Sequence, residues 1–245
     1  MSQERKLINR RGDVVLITYR EYILKDDKEV LLNEVKEPIA VVIGGPALHP
    51  AVANELMTMN EGETRTVVID SRPYFGVPDP ANVVKVTREP LEAVFGELRP
   101  GMTLQLGVRL GTVKEVREDY VLIDFNHPYA GHNIYSRVTL VKKLTDPEDM
   151  VRSLVRSTFG YYADAVRTAV TKGRITIAMS PDVLLIGDLS LRLVTLSTSL
   201  SIALPSRTVT FVISPEVISG KVPPFRKLCA SQLGGVPKDG KAQGS

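Results

Sequence analysis

The sequence predicts an α+β fold: strands packed on one short helix and interrupted by a small β insert, with an α/β segment following. Three observations predict it. β-Type runs recur through the first 141 residues around a single stretch at helical spacing, Pro50 to Met59. A ten-residue polar loop, Asp124-Phe-Asn-His-Pro-Tyr-Ala-Gly-His-Asn133, stands between two such runs, Tyr120 to Ile123 and Ile134 to Val141, and reads as the point where the chain returns from an inserted lobe. After Val141 the pattern changes, and Thr145-Asp146-Pro147-Glu148 has the form of a helix start.

Taken in order, Val14 to Tyr19 and Tyr22 to Leu24 lead into a charged turn, Lys25-Asp26-Asp27-Lys28, and then Val30-Leu31-Leu32, which reads as a β-hairpin. Ile39 to Ile43 forms a buried strand stopped by Gly44-Gly45-Pro46. Val52, Leu56 and Met59 then share one helical face, and Thr64 to Ile69 is strand again. Pro78 and Pro80 break the pattern before Asn82 to Val86, and Leu91 to Leu98 is a helical or irregular link. Pro100-Gly101 opens a unit of short strands at Met102 to Leu106, Thr112 to Val116 and Tyr120 to Asp124, so residues 88–126 read as an all-β insert.

Asp146 or Thr145 caps the next helix, whose apolar face is Val151, Leu154, Val155, Thr158 and Phe159. Tyr161 to Val170 continues it or begins a second. Ile175 to Met179 alternates as a strand. From Leu189 to Leu204 leucines sit first at odd and then at even positions, an alternating strand with a bulge or turn at Val194-Thr195. Thr208 to Ser214 is a further strand. From Val222 the tail, rich in Pro, Gly and Lys, is expected to be extended or mobile.

The chain has 245 residues, 43% hydrophobic and 24% charged, enough for a substantial core, and a formal net charge of +3 that permits anionic partners without demanding them. A single cysteine, Cys229, excludes an intramolecular disulfide and a cysteine-cluster metal site, in keeping with a reducing cytoplasm. The first residues contain no apolar signal-type run, and nowhere do eighteen uncharged apolar residues follow one another, so a cytoplasmic protein without a membrane span is expected.

An ordered set of motifs carries a family resemblance. Gly12-Asp13 followed by Tyr19, the run Pro38 to Gly44, and Leu48 to Leu56 come first. Asn60-Glu61-Gly62-Glu63 and Arg72-Pro73-Tyr74-Phe75-Gly76 follow, then Pro100-Gly101-Met102 and Asn126-His127…Ala130-Gly131…Asn133. In that order they resemble the SlyD-like branch of the FKBP-type peptidyl-prolyl cis-trans isomerases. The resemblance covers residues 1–141. It implies an antiparallel half-barrel around a short helix, formed by residues 1–87 and 127–146, with residues 88–126 as an insert-in-flap chaperone lobe. Residues 147–222 lie outside it; they look like the extra C-terminal α/β domain of a longer archaeal class, with 223–245 as a flexible tail.

Carried over by position, the resemblance implies a prolyl pocket with Tyr19 and Phe75 as catalytic residues. Leu32, Ile39, Val41, Leu48, His49, Val52, Tyr74 and Ser136 would bind substrate. Family members usually carry an acid at Leu32, a tyrosine at Phe75, an aliphatic residue at His49 and an aromatic one at Ser136. Asn33 or Tyr74 supplies two of the missing groups if the register differs by one residue. These replacements imply a pocket that grips prolyl segments at a reduced or lost isomerase rate. No cofactor is implied, and no metal: the histidine-rich metal-binding tail found in many SlyD proteins has no counterpart here.

His127 and His132 flank the return loop near Asp124, and a loop role, satisfying loose backbone groups, is favoured over a metal or acid–base role. Gly44-Gly45-Pro46 lacks the spacing of a phosphate cradle, no GxSxG elbow supports a hydrolase, and Asp26-Asp27 with Glu29 reads as a solvated turn. In the insert, Met102, Leu104, Leu106, Val108 and Leu110 offer an apolar chaperone surface, or else simply the core of the lobe. The leucine edge from Leu189 to Leu204 calls for cover by the preceding helix, by a second subunit as a homodimer through the C-terminal domain, or by a client. A basic tail with Lys221, Arg226, Lys227, Lys238 and Lys241 suits contact with ribosomal RNA. The function expected is a prolyl isomerase and chaperone acting on unfolded or nascent polypeptides. The alternative is a non-enzymatic holdase or ribosome-associated binding module.

Overall fold

The computed structural model describes residues 7–214. Cys229, the basic tail residues from Lys221 onward and the expected flexible segment 223–245 lie outside the described residues. The chain divides into two units. One gathers the described residues of Met1–Thr18, Val35–Arg65 and Val138–Ser245, the other Tyr19–Glu34 and Thr66–Arg137.

Strands β1 (Val14–Lys25) and β2 (Lys28–Val42) are joined by Asp26 and Asp27, whose φ angles of 50° and 58° lie in the left-handed region. Such a two-residue turn matches the twist of paired strands, and a short aspartate side chain tolerates the conformation better than most. The expected hairpin is therefore present. Helix α1 (Pro50–Leu56) and strand β3 (Thr64–Ile69) follow, then the single turn α2 (Arg72–Phe75). Together with β8 (Ile134–Leu144), strands β1, β2 and β3 form a four-stranded sheet in the order β2-β1-β8-β3.

In the second unit, β4 (Val83–Thr87), β5 (Thr103–Leu106), β6 (Arg109–Val116) and β7 (Tyr120–Asp124) form an antiparallel sheet in the order β4-β7-β6-β5. The lobe is not made of strands alone. Residues Arg88–Phe95 form helix α3, which buries Leu91 with Leu98, Leu104, Val113, Val121 and Ile123 and leaves Val94 in solvent. Its sheet also takes in β4, which precedes residue 88 and pairs with β7 through Val86 and Val121.

In the first unit, helix α4 (Pro147–Phe159) starts where the sequence predicts: the Asp146 carboxylate accepts from the backbone N–H groups of Glu148 and Asp149, and Pro147 takes the first helical position. Gly160, at φ 55°, ends it. The chain from Tyr161 does not continue as α-helix; a 3₁₀ stretch over Gly160–Ala165 leads into β9 (Val166–Val170). Strand β10 (Arg174–Met179) pairs antiparallel with β9 and parallel with β11 (Thr208–Ile213).

The largest correction falls between β10 and β11. Leu189–Ala203 is a helix, α5, and not a bulged strand. Leu189, Leu193, Leu196, Leu200 and Leu204 recur every three or four residues, so the shift of parity at Val194-Thr195 was helical period rather than a bulge. Leu196 and Leu200 are fully buried. A fifteen-residue span is also long for a strand, and two parallel strands need a crossover of this kind.

These elements share one core. Phe159, Val155, Ile175, Ile177, Leu196 and Leu200 pack with Val14, Ala40 and Val42 from β1 and β2. A hydrogen bond from the Ala40 N–H to the Ser157 hydroxyl, at 2.7 Å, ties β2 to α4 within the same unit.

Candidate functional site

The residues singled out for a prolyl pocket fall into both units. Ile39, Val41, Leu48, His49 and Val52 belong to the first; Tyr19, Leu32, Tyr74, Phe75 and Ser136 belong to the second.

In the first unit the site residues hang on α1. Its N-terminus is capped by His49, whose Nδ1 accepts the Ala51 N–H at 3.2 Å, with Pro50 at the first position. At the other end Asn9, itself buried, donates from Nδ2 to the carbonyls of Leu56 and Met59 at 2.8 and 2.9 Å. Arg65 clamps the same end, with Nη1 donating to Glu55 at 2.9 Å and to the Thr58 hydroxyl at 2.7 Å, and Nε to Glu63 at 2.6 Å. Seven residues make too short a helix to persist alone, so these ties hold it. Val52 and Val41 are buried, while Ile39, Leu48 and His49 are half-buried.

In the second unit the Tyr19 hydroxyl accepts a hydrogen bond from Asn33 Nδ2 at 3.1 Å. Burial and the nearby Glu21 carboxylate push the Tyr19 pKa up, against the smaller downward pull of the Asn33 bond. The phenol therefore keeps its proton at neutral pH and can donate it. Asn33 stands beside Tyr19, while its neighbour Leu32 is half-buried. Ser136 is buried and its hydroxyl donates to Glu21 at 3.5 Å, a long contact. Glu21 did not figure among the expected site residues. Its signal was the strand period: Tyr19 and Glu21 are two apart on β1 and so share a face.

Phe75 sits in an aromatic cluster. The His127 ring stacks on it at 4.6 Å and 6°, and Tyr129 meets it edge-on at 5.6 Å. His127 Nδ1 also accepts the Tyr129 N–H at 3.2 Å, the loop role favoured from sequence. Tyr74, next in line, is exposed.

The return loop is knotted to residues 71–82 of the same unit. Asn126 Oδ1 accepts from the Asp79 N–H at 2.9 Å and from Asn82 Nδ2 at 3.3 Å, and its Nδ2 donates to the Asp79 carbonyl at 3.0 Å and to Asp124 at 2.8 Å. The Ser71 hydroxyl donates to the His132 carbonyl, and the Gly131 N–H to the Gly76 carbonyl at 3.2 Å.

Burial pushes the Asp124 carboxyl up, but the Asn126 N–H and side-chain amide and the Lys114 ammonium at 3.2 Å outweigh it and hold its pKa below the usual range. A group with a depressed folded pKa stabilises above its unfolded pKa, about 3.9 for aspartate, and that stability is lost as pH falls through the lower folded value. Asp124→Asn is therefore expected to be less stable than the parent at pH 6, with a smaller deficit at pH 2. Urea midpoints at both pH values check this, and an equal deficit at both would contradict the ion-pair account.

Of the apolar residues expected on the insert surface, Leu104 is a core residue at 2% exposure. Met102 and Leu106 pack against that core half-buried, while Val108 and Leu110 stand in solvent at 100% and 65%. Among the described residues no group of three or more His, Cys, Asp or Glu comes together as a metal site, and no helix is long and apolar enough to cross a membrane.

No family model matches the chain. Among curated proteins it is similar to the FKBP-type peptidyl-prolyl cis-trans isomerase SlyD of Helicobacter pylori, 26% identical over 113 residues, which is 43% of this chain and 58% of that protein. A short-type peptidyl-prolyl cis-trans isomerase of Methanocaldococcus jannaschii is 26% identical over 120 residues, 49% of this chain and 76% of the relative. SlyD of Treponema pallidum is 25% identical over 152 residues, 56% of this chain and 81% of the relative. At these modest identities the similarity supports the FKBP-type family.

Proposed function

We propose that this chain is a peptidyl-prolyl cis-trans isomerase that also acts as a chaperone on unfolded or nascent polypeptides with prolyl segments. The observation that carries the proposal is its similarity to isomerases of the FKBP type over about half its length. The Tyr19–Asn33 pair and the ring cluster on Phe75 fit it.

The chemistry asks for no nucleophile or cofactor. Twisting an X-Pro amide breaks its conjugation against a barrier of about 18–20 kcal/mol. The twisted amide is less polar than the planar one, so an apolar surface that grips the proline ring and withdraws water favours the transition state. A thousandfold acceleration takes only about 4 kcal/mol of such preference. In this reading Phe75, held by His127 and Tyr129, walls the proline ring, and the protonated Tyr19 hydroxyl borders the turning amide. Leu32, Tyr74 and Ser136, in the same unit, lie at the margins of that surface.

A protease-free assay on an Xaa-Pro peptide is expected to show turnover that Phe75→Ala lowers by about tenfold or more, equivalent to about 1.4 kcal/mol of lost transition-state stabilisation. Tyr19→Phe is expected to give a smaller loss. Wild-type turnover no faster than the uncatalysed rate would reject the isomerase reading. The exposure of Val108 and Leu110 favours the second reading, a holdase on the same fold, and that reading stands if Val108→Ser with Leu110→Ser abolishes suppression of client aggregation while peptide turnover is absent.

The outer face of α5 presents Leu191 and Val194 at 68% and 64% exposure, and we assign it to a second copy of the chain. Light scattering on the intact chain tests that assignment, and co-sedimentation with ribosomes at graded salt tests the tail contact.

A further inference from the structure

Within the first unit a cleft of about 140 Å³ opens on the side of α1 formed by Pro50, Ala53, Asn54 and Met57, floored by Leu48 and bounded by Arg11. The volume suits one side chain rather than a whole small-molecule ligand.

Arg11 is set there by the backbone. Gly12 donates to the Ile43 carbonyl at 3.0 Å and Ile43 to the Asp13 carbonyl at 2.9 Å, which holds the arginine turn against Gly44-Gly45. A Cβ at Gly44 would come 2.8 Å from Arg11 Nε, and φ there is 78°, so glycine lets the guanidinium lie on the turn. The acid two residues on, Asp13, is already engaged. Asp13 pairs with Lys143 at 2.5 Å and accepts the Arg10 N–H at 2.9 Å. Among the described residues the Arg11 side chain makes no ion pair, and it is exposed.

An uncompensated guanidinium beside apolar walls calls for a partner with both characters: a carboxylate for the fork, an aliphatic group for the hollow. A bare inorganic anion would leave the apolar walls unused. Ile8, exposed at 46%, lies next to one lining residue, its N–H bonded to the Met57 carbonyl at 2.9 Å. We infer that this cleft anchors an acidic–apolar segment of a polypeptide client, one aliphatic side chain in the hollow and the adjacent carboxylate on Arg11. Such an anchor raises the effective concentration of the rest of a bound chain without taking part in catalysis.

The test is an amide NMR titration of the full chain with a proline-free probe, Gly-Ser-Glu-Leu-Ser-Gly amide. Shifts are expected at Gly44, Asn54 and Met57, with affinity about fivefold weaker for Arg11→Gln and likewise for a probe with Gln in place of Glu. Inorganic phosphate at equal concentration is expected not to reproduce the shifts. Turnover on an Xaa-Pro peptide is expected to be equal in Arg11→Gln and the parent, so inactivity of both would count against the isomerase proposal and leave this one standing. Unmoved amides, equal binding of the Glu and Gln probes, or binding seen only after residues 1–6 are removed would each overturn the inference, the last by giving the cleft to the chain's own N-terminus.

Discussion

Phe159→Ala is expected to lower stability by about 3–5 kcal/mol. The ring is 1% exposed, the largest of the fully buried side chains, at the end of α4 where the sheet β9–β10–β11 and α5 converge. Removing it deletes the transfer free energy of an aromatic side chain and leaves a cavity that a β-sheet and two helices cannot readily close. The same core holds Val14, Ala40 and Val42, so the loss is expected to reach β1 and β2. Hydrogen exchange should show faster opening of the Val14 to Ile17 amides together with those of β10. If β10 and α4 lost protection while those β1 amides kept theirs, residues 147–214 would be an independently folding part, against the single core.

Gly131→Ala is expected to cost about 2–5 kcal/mol, combining about 1–2 kcal/mol for an L-residue in the left-handed region with about 1–3 kcal/mol for overpacking. Gly131 has φ 79°, and a Cβ built there lies 2.9 and 3.0 Å from Cδ and Cγ of Pro78. A proline ring cannot swing aside as a lysine would, so the return loop must shift. His127 and Tyr129 lie on that loop and hold Phe75, which makes a fall in isomerase turnover the expected companion of the stability loss. Thermal unfolding and the prolyl assay on the same preparation check both. A variant as stable as the parent would show that Pro78 yields, and intact turnover in a destabilised variant would separate Phe75 from the loop.

The candidate site was legible in unequal measure. Tyr19 and Phe75 stood out only through the family resemblance, whereas Gly131 and Asn126 of the return loop sit in a short motif whose backbone demands are local. Glu21 was missed as a companion of Tyr19, although the two-residue strand period places it on the same face. Arg11 carried no motif. Its role depends on Asp13 being taken by Lys143, a contact across 130 positions. The insert residues Leu104 and Val108 were read alike as apolar and differ almost completely in exposure, because Leu104 lies on β5 in the core with Leu91 of α3, whereas Val108 stands in the turn between β5 and β6.

What the sequence determined by itself was what short-range forces decide. The Asp26-Asp27 turn, the Asp146-Pro147 start of α4, the proline-led α1 and the glycine of the return loop all follow from backbone preference and capping within a few residues. The tertiary structure decided the rest: that Leu189–Ala203 is helix, that β11 runs parallel to β10, and that one core joins α4 and α5 to Val14 and Val42. A leucine- and serine-rich stretch carries too little charge to mark its own outer face, so its period is ambiguous until a sheet supplies the surface on which it packs.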